Sequence, residues 1–120
     1  FGYVVGPQSW KKFLFPPQAT LMTVRRQNGS FVVESHAEDA PRYALIGVRG
    51  CEMQALLVQD HVFLNGPYID THYKARREQT FVLAVNCTEP GETCFCASMG
   101  AGPKVGPGFD LALTELDDIF

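Results

Sequence analysis

Two short apolar runs, Tyr43-Ala-Leu-Ile-Gly-Val48 and Phe81-Val-Leu-Ala-Val-Asn86, stand out along the chain. Their length and composition predict buried strands. Between them, Glu52 to Leu64 reads as a helix with Met53, Leu56, Leu57 and Leu64 inward and Gln54, Gln59 and Asp60 outward. Arg49-Gly50-Cys51 reads as the turn before it, and Asn65-Gly66-Pro67 ends it. Asp70 can cap a second short helix through Glu78, because its carboxylate accepts the free N–H groups of a first turn. Strand, helix, helix, strand implies a crossover, so the two strands are predicted parallel, with a right-handed connection.

The rest of the pattern is shorter. Gly6-Pro-Gln-Ser-Trp-Lys-Lys-Phe-Leu-Phe-Pro-Pro17 predicts a short helix closed by two prolines, with Trp10, Phe13 and Leu14 on one face as core anchors. Leu21-Met-Thr-Val-Arg-Arg26 and Phe31-Val-Val-Glu34 flank Gln27-Asn28-Gly29-Ser30, and Asn-Gly suits a type I′ turn, so this is a β-hairpin. His36 to Pro41 reads as a loop, Ala97 to Gly108 as a Gly- and Pro-rich loop, and Phe109 to Leu116 as a third strand. The fold class predicted is α/β: a small, at least partly parallel sheet with crossover helices plus one hairpin. Residues 1–120 suit a single domain.

Composition excludes more than it assigns. A chain 46% hydrophobic and 19% charged is ordinary for a globular domain. A net charge of −3 gives no basic excess for a nucleic-acid surface, so no nucleic-acid partner is expected. No apolar run reaches the ~18–20 residues that span a bilayer. The start has no basic n-region to mark a signal peptide. The chain lacks an initiator Met and stops at Asp118-Ile-Phe120 just after a strand-like run, which reads as a piece of a longer subunit.

The cysteines carry the candidate chemistry. Cys87, Cys94 and Cys96 sit in one loop, Cys87-Thr-Glu-Pro-Gly-Glu-Thr-Cys94-Phe-Cys96, directly after the second apolar run. Cys51 follows the first run. Ligands gather at the carboxyl ends of parallel strands, so both runs can deliver their thiols to one edge. Two disulfides would need an oxidising compartment, which nothing in the chain indicates. Four converging thiolates suggest a metal or cluster site. The spacing Cys-x35-Cys-x6-Cys-x-Cys matches neither the paired knuckles of structural zinc nor the ferredoxin run. Spacing alone leaves a [4Fe–4S] cluster and zinc both open. Gly91, Gly100 and Gly102 favour the cluster, because they let backbone approach its sulfides. A third reading is a thiol enzyme with Cys94 or Cys96 as nucleophile.

Four segments together resemble one protein family: Gly6 to Pro17, Gly47-Val-Arg-Gly-Cys51-Glu, Asn86 to Pro103, and Phe109 to Leu116. The chain is similar to the iron–sulfur beta subunit of cytosolic sulfhydrogenases and the A subunit of anaerobic sulfite reductase. That resemblance implies a cytoplasmic, anaerobic electron-transfer module preceding a two-cluster ferredoxin module. It implies partner subunits: one binding flavin and nicotinamide, one catalytic. It implies that Cys51, Cys87, Cys94 and Cys96 hold an additional [4Fe–4S] cluster, with zinc as the alternative occupant in aerobically purified protein. The family usually has Pro where this chain has Gly50, a departure expected to loosen the turn.

Other polar residues have plainer readings. Arg49 can offset charge beside Cys51 or be solvated or paired with a carboxylate; Glu89 and Glu92 read as solvated loop carboxylates. Ser98 and Thr88 can donate to sulfur or cap their own loop. His36, His61 and His72 read as ordinary histidines, His61 lying ~15 Å along the helix from Cys51. Lys74 to Glu78 reads as a solvated charged face, or else a place to dock a partner subunit or a cofactor phosphate, and Tyr68 and Tyr73 as packing residues.

Overall fold

A computed structural model of the chain describes residues 9–35 and 40–116. The expected contributions of Gly6 to Gln8, His36 to Asp39 and Asp118 to Phe120 lie outside these residues. The elements in chain order are α1 (Lys11–Leu14), β1 (Met22–Gln27), β2 (Ser30–Ser35), β3 (Tyr43–Arg49), α2 (Gly50–Leu64), α3 (Thr71–Glu78), β4 (Thr80–Val85) and β5 (Leu111–Leu113). They form a small α/β fold: a parallel three-stranded sheet in the order β3-β4-β5, crossover helices, and a separate antiparallel hairpin β1-β2.

Local chemistry explains most boundaries. Asn28 and Gly29 both take positive φ, 50° and 84°, as a tight hairpin turn requires. The hairpin strands are exposed almost throughout. Asp70 caps α3 by accepting the Tyr73 N–H at 2.8 Å. Helix α1 ends before Pro16, and only its Leu14 is fully buried; Trp10 and Phe13 pack against the core beside it. The reading of Arg49-Gly50-Cys51 as a turn is corrected: Gly50 and Cys51 already belong to the first turn of α2. Glu52 makes that start possible, its carboxylate accepting the Arg49 backbone N–H at 3.3 Å.

The core lies on one side of the sheet. Leu45, Val48, Val82 and Ala84 meet Met53 and Leu56 of α2, Tyr73 of α3 and Leu14 of α1. Each fully buried Leu or Met contributes about 2 kcal/mol of burial free energy. The opposite side of the sheet is open. Ala44 pairs Phe81, and Ile46, Leu83 and Leu111 align across three strands, so these side chains share one face. Ile46 is 65% exposed, Leu111 56% and Phe81 42%. The strands expected to be buried are therefore buried on one face only.

Asp60 is the polar hinge of the helical layer. Expected to point outward, it accepts the Tyr73 hydroxyl at 2.6 Å and the Arg77 Nε–H at 3.1 Å. Arg77 also donates to the Gly108 carbonyl at 3.2 Å, tying α3 to the loop that precedes β5. The run Lys74 to Glu78 is thus only partly a solvated face: Lys74 and Glu78 pair at the surface, whereas Arg77 is recruited inward. Gln59, also expected outward, has its amide oxygen shut from solvent without a hydrogen-bond partner. Tyr68 is 89% exposed, while Tyr73 is fully buried.

Burial, and then the hydrogen bond to Asp60, hold the Tyr73 phenol well above its ordinary range. The folded state therefore favours the neutral phenol. Its contribution is complete below the unfolded value of about 10 and declines as pH rises above it, where the unfolded chain ionises first. Tyr73→Phe should cost about 2 kcal/mol in urea unfolding at neutral pH, the scale of a hydrogen bond to a charged group. It should also flatten the alkaline loss of stability; an unchanged alkaline slope would refute the role given to the phenol.

Candidate functional site

The parallel register sets the edge where the cysteines lie. Arg49 pairs with Val85 as the last matched residues of β3 and β4. Cys51 and Cys87 each stand two residues beyond that pair. The chain then diverges, into α2 after Arg49 and into the long loop after Asn86.

That loop returns over the start of α2. A methyl group on Gly50 would sit 2.8 Å from the Ala101 carbonyl oxygen and 3.2 Å from that of Lys104. Only glycine accepts backbone this close. Gly50 is thus not a loosened turn but the first helical residue, pressed against the returning loop. Gly102 is also close-packed, a Cβ there lying 3.1 Å from Cys96 Sγ.

Asn86 clamps the loop at its root. Its N–H donates to the Leu113 carbonyl at 2.9 Å, its Oδ1 accepts the Val105 N–H at 2.8 Å, and its Nδ2 donates to Thr114 Oγ1 at 2.7 Å. The Cys87 N–H donates to the Pro103 carbonyl at 3.1 Å beside it. Sequence reasoning took Asn86 only as a strand end. The available signal was a single amide-bearing residue between an apolar strand and a Gly- and Pro-rich loop, where buried backbone groups need partners.

All four predicted site residues line one small cavity of about 40 Å³, together with Arg49, Pro90 and the glycines 50 and 102. Convergence on one edge is therefore observed, but ligand geometry is not. Among the described residues no group of three or more His, Cys, Asp or Glu side chains is placed to hold a metal ion. The Cys87 thiol lies 3.4 Å from the Glu89 carbonyl oxygen as a hydrogen-bond donor, and Cys94 Sγ accepts the Gly91 N–H at 3.2 Å. Each is engaged by its own loop rather than aimed at a shared centre. The expectation of a [4Fe–4S] cluster, and the zinc alternative, are both corrected by this arrangement, and with them the iron–sulfur electron-transfer role.

The thiols are free and differ in setting. Cys51 and Cys94 are exposed, Cys87 and Cys96 half-buried. Burial, and then the neighbouring Glu52 carboxylate, push the Cys51 thiol up from its usual value. Arg49 is buried against this cavity, which removes its solvated reading. His61 and His72 line neither of the two cavities that cysteines line, and His36 lies outside the described residues.

Against the outer face of α2 the cysteine loop forms a larger groove of about 380 Å³. Cys51, Cys94 and Cys96 line it together with Ala55, Val58, Phe95, Met99 and Ala101. Gln54 and Thr93 are the polar residues of its wall.

Two outcomes test this geometry. Asn86→Ala should lower stability by about 2 kcal/mol, since it leaves the part-buried Val105 N–H without its acceptor and removes the tie to Thr114, and should speed hydrogen exchange at Cys87 and Val105 before the core. Cys51 should alkylate more slowly at pH 8 than an unstructured cysteine peptide. Glu52→Gln keeps an oxygen for the helix start but removes the charge, so it should speed that reaction several-fold. Equal rates in the two proteins would discard the electrostatic part of the account.

Comparison with known proteins places the chain at a distance from one relative. It is 32% identical over 108 residues to the sulfhydrogenase 2 subunit beta of Pyrococcus furiosus, a match covering 90% of this chain and 30% of that protein. The relation is therefore one at family level, and this chain spans less than a third of the relative's length. No family model matches the chain, and no solved structure matches it. The relative is, by its name, the beta subunit of a sulfhydrogenase.

Proposed function

We propose that this chain is one domain of a longer subunit in a multisubunit oxidoreductase of the sulfhydrogenase kind, and that it does not turn over substrate alone. The uncovered sheet face carries this reading. Parallel sheets are normally covered on both faces, yet Ile46, Phe81 and Leu111 remain open. An apolar face of that kind is a place for further protein. The distant relation to a sulfhydrogenase beta subunit supports the same reading.

In this reading the partners are a flavin- and nicotinamide-binding subunit and a catalytic subunit. The assembly works in the cytoplasm, where exposed free thiols such as Cys51 and Cys94 persist. No described helix is long and apolar enough to cross a membrane. Cys51, Cys87, Cys94 and Cys96 are the working residues of the domain. Together they give it a cavity edge of polarizable sulfur beside the buried Arg49 guanidinium.

Co-expression of the full-length subunit with those two partners tests the assignment. The expected result is a stoichiometric complex, in which each single Cys→Ser variant still assembles but turns over roughly tenfold more slowly, a loss of about 1.4 kcal/mol. A full-length chain that stays alone would overturn the subunit reading. Four serine variants with full turnover would remove the cysteines from it.

A further inference from the structure

Helix α2 is apolar on two sides. Met53 and Leu56 are fully buried in the core, while Ala55 and Val58 line the outer groove with Cys51. Val62 continues that outer stripe one turn on from Val58. An apolar stripe exposed on the side away from the core is a place for further protein. Here the outer stripe meets the cysteine loop, whose Phe95 and Met99 are 70% and 68% exposed. These are the large exposed apolar side chains that, with Val58, line the groove. Gln54 and Thr93 are too few polar groups to orient a small ligand, which needs several placed donors and acceptors.

The charge around the groove selects its occupant. Glu52 follows Cys51, and Glu89 and Glu92 lead into Thr93 and Cys94. Against these three carboxylates the same edge presents the exposed Lys104, with Arg49 buried beneath. Two copies of this chain would bring acidic rims face to face, and anionic lipid headgroups would be repelled in the same way. A cationic segment would be drawn in.

Building on the subunit reading above, we infer that the groove between α2 and the cysteine loop docks an amphipathic helix of a partner subunit. Its apolar face packs on Val58, Phe95 and Met99. Lysine or arginine beside that face meets Glu52, Glu89 and Glu92. The groove follows the helix-in-groove mode, in which apolar side chains at helical spacing supply contact and rim charges set the partner.

Three synthetic helical peptides test this against the full-length chain: a Leu/Phe face flanked by Lys, the same face flanked by Glu, and the Lys peptide with its apolar face replaced by Ser. The Lys-flanked apolar peptide should bind, the other two about tenfold or more weakly, a difference of 1.4 kcal/mol. Val58→Asp and Phe95→Ser should each weaken it about tenfold, and Met99→Lys likewise. All three side chains are exposed, so thermal melting should stay unchanged and confirm that folding is intact. Equal binding of the three peptides, or indifference to the substitutions, overturns the inference. So does self-association that Val58→Asp abolishes, which would make a second copy the occupant, or capture by phosphatidylserine vesicles. The two proposals fail separately. A co-expressed complex that Val58→Asp and Phe95→Ser leave intact keeps the subunit reading and removes the groove. A wild-type chain that never assembles removes the subunit reading, while the peptide result still decides the groove.

Discussion

The pairing of Arg49 with Val85 is the constraint on which the rest of this molecule depends. A parallel pair ends both of its strands at one edge, so whatever follows each strand is delivered to the same place. Cys51 and Cys87 follow at equal distance. The sharp divergence of the two chains is then held by small local devices. Gly50 has no side chain to block the returning loop, and the Asn86 amide joins the loop root to the segment after β5. Neither device is chemical in purpose, yet together they bring four thiols around one cavity.

Sharing an edge is a weaker condition than sharing a coordination sphere. Ligation to one zinc needs sulfurs about 2.3 Å from a common centre, a demand on side-chain direction that strand register does not meet. In this fold the directions are set by nearer partners: a carbonyl two residues on for Cys87, a backbone N–H three residues back for Cys94. Cys51 adds a charge problem. It lies beside Glu52, whose carboxylate secures the start of α2 and disfavours a second anion next to it. The residue that makes the helix begin thus adds, after burial, to what pushes its neighbouring thiol up.

What the sequence made legible was local or periodic. Asn28-Gly29 specified its own turn, and Asp70 specified its own cap, because each acts within a few residues. The parallel crossover followed from two apolar runs and the helical stretch between them. The failures share one cause: the deciding partner lay elsewhere in the chain. Gly50 looked like a turn residue because its close contact is with Ala101, far along the chain. Asp60 looked solvated because it is charged, although it stands four residues from Leu56 and seven from Met53, on the buried side. Arg77 and Tyr73 on α3 are what make that position tenable. The metal reading failed in the same manner, since proximity was readable from the strand ends but the Cys87 and Cys94 thiols are engaged by loop hydrogen bonds.

The two apolar surfaces left open have different physical standing. The sheet face is flat and is defined by backbone register, so any well-packed layer would cover it. The groove beside α2 is concave, and its lining residues Cys51 and Thr93 have the carboxylates Glu52 and Glu92 as chain neighbours, which makes it selective in the inference drawn above. Hydrophobic burial supplies attraction without direction. Charge at a rim rejects the wrong neighbour more strongly than it attracts the right one, because an unmatched carboxylate pair meeting at a dehydrating interface costs more than a matched pair returns. Glu89 and Glu92 sit on the same loop as Phe95, with Thr93 and Cys94 between them. Apolar contact and charge discrimination are therefore carried by one segment, the segment that Asn86 holds at its root. A substitution at Asn86 would disturb the thiol cavity and the groove together, even though its side chain lines neither.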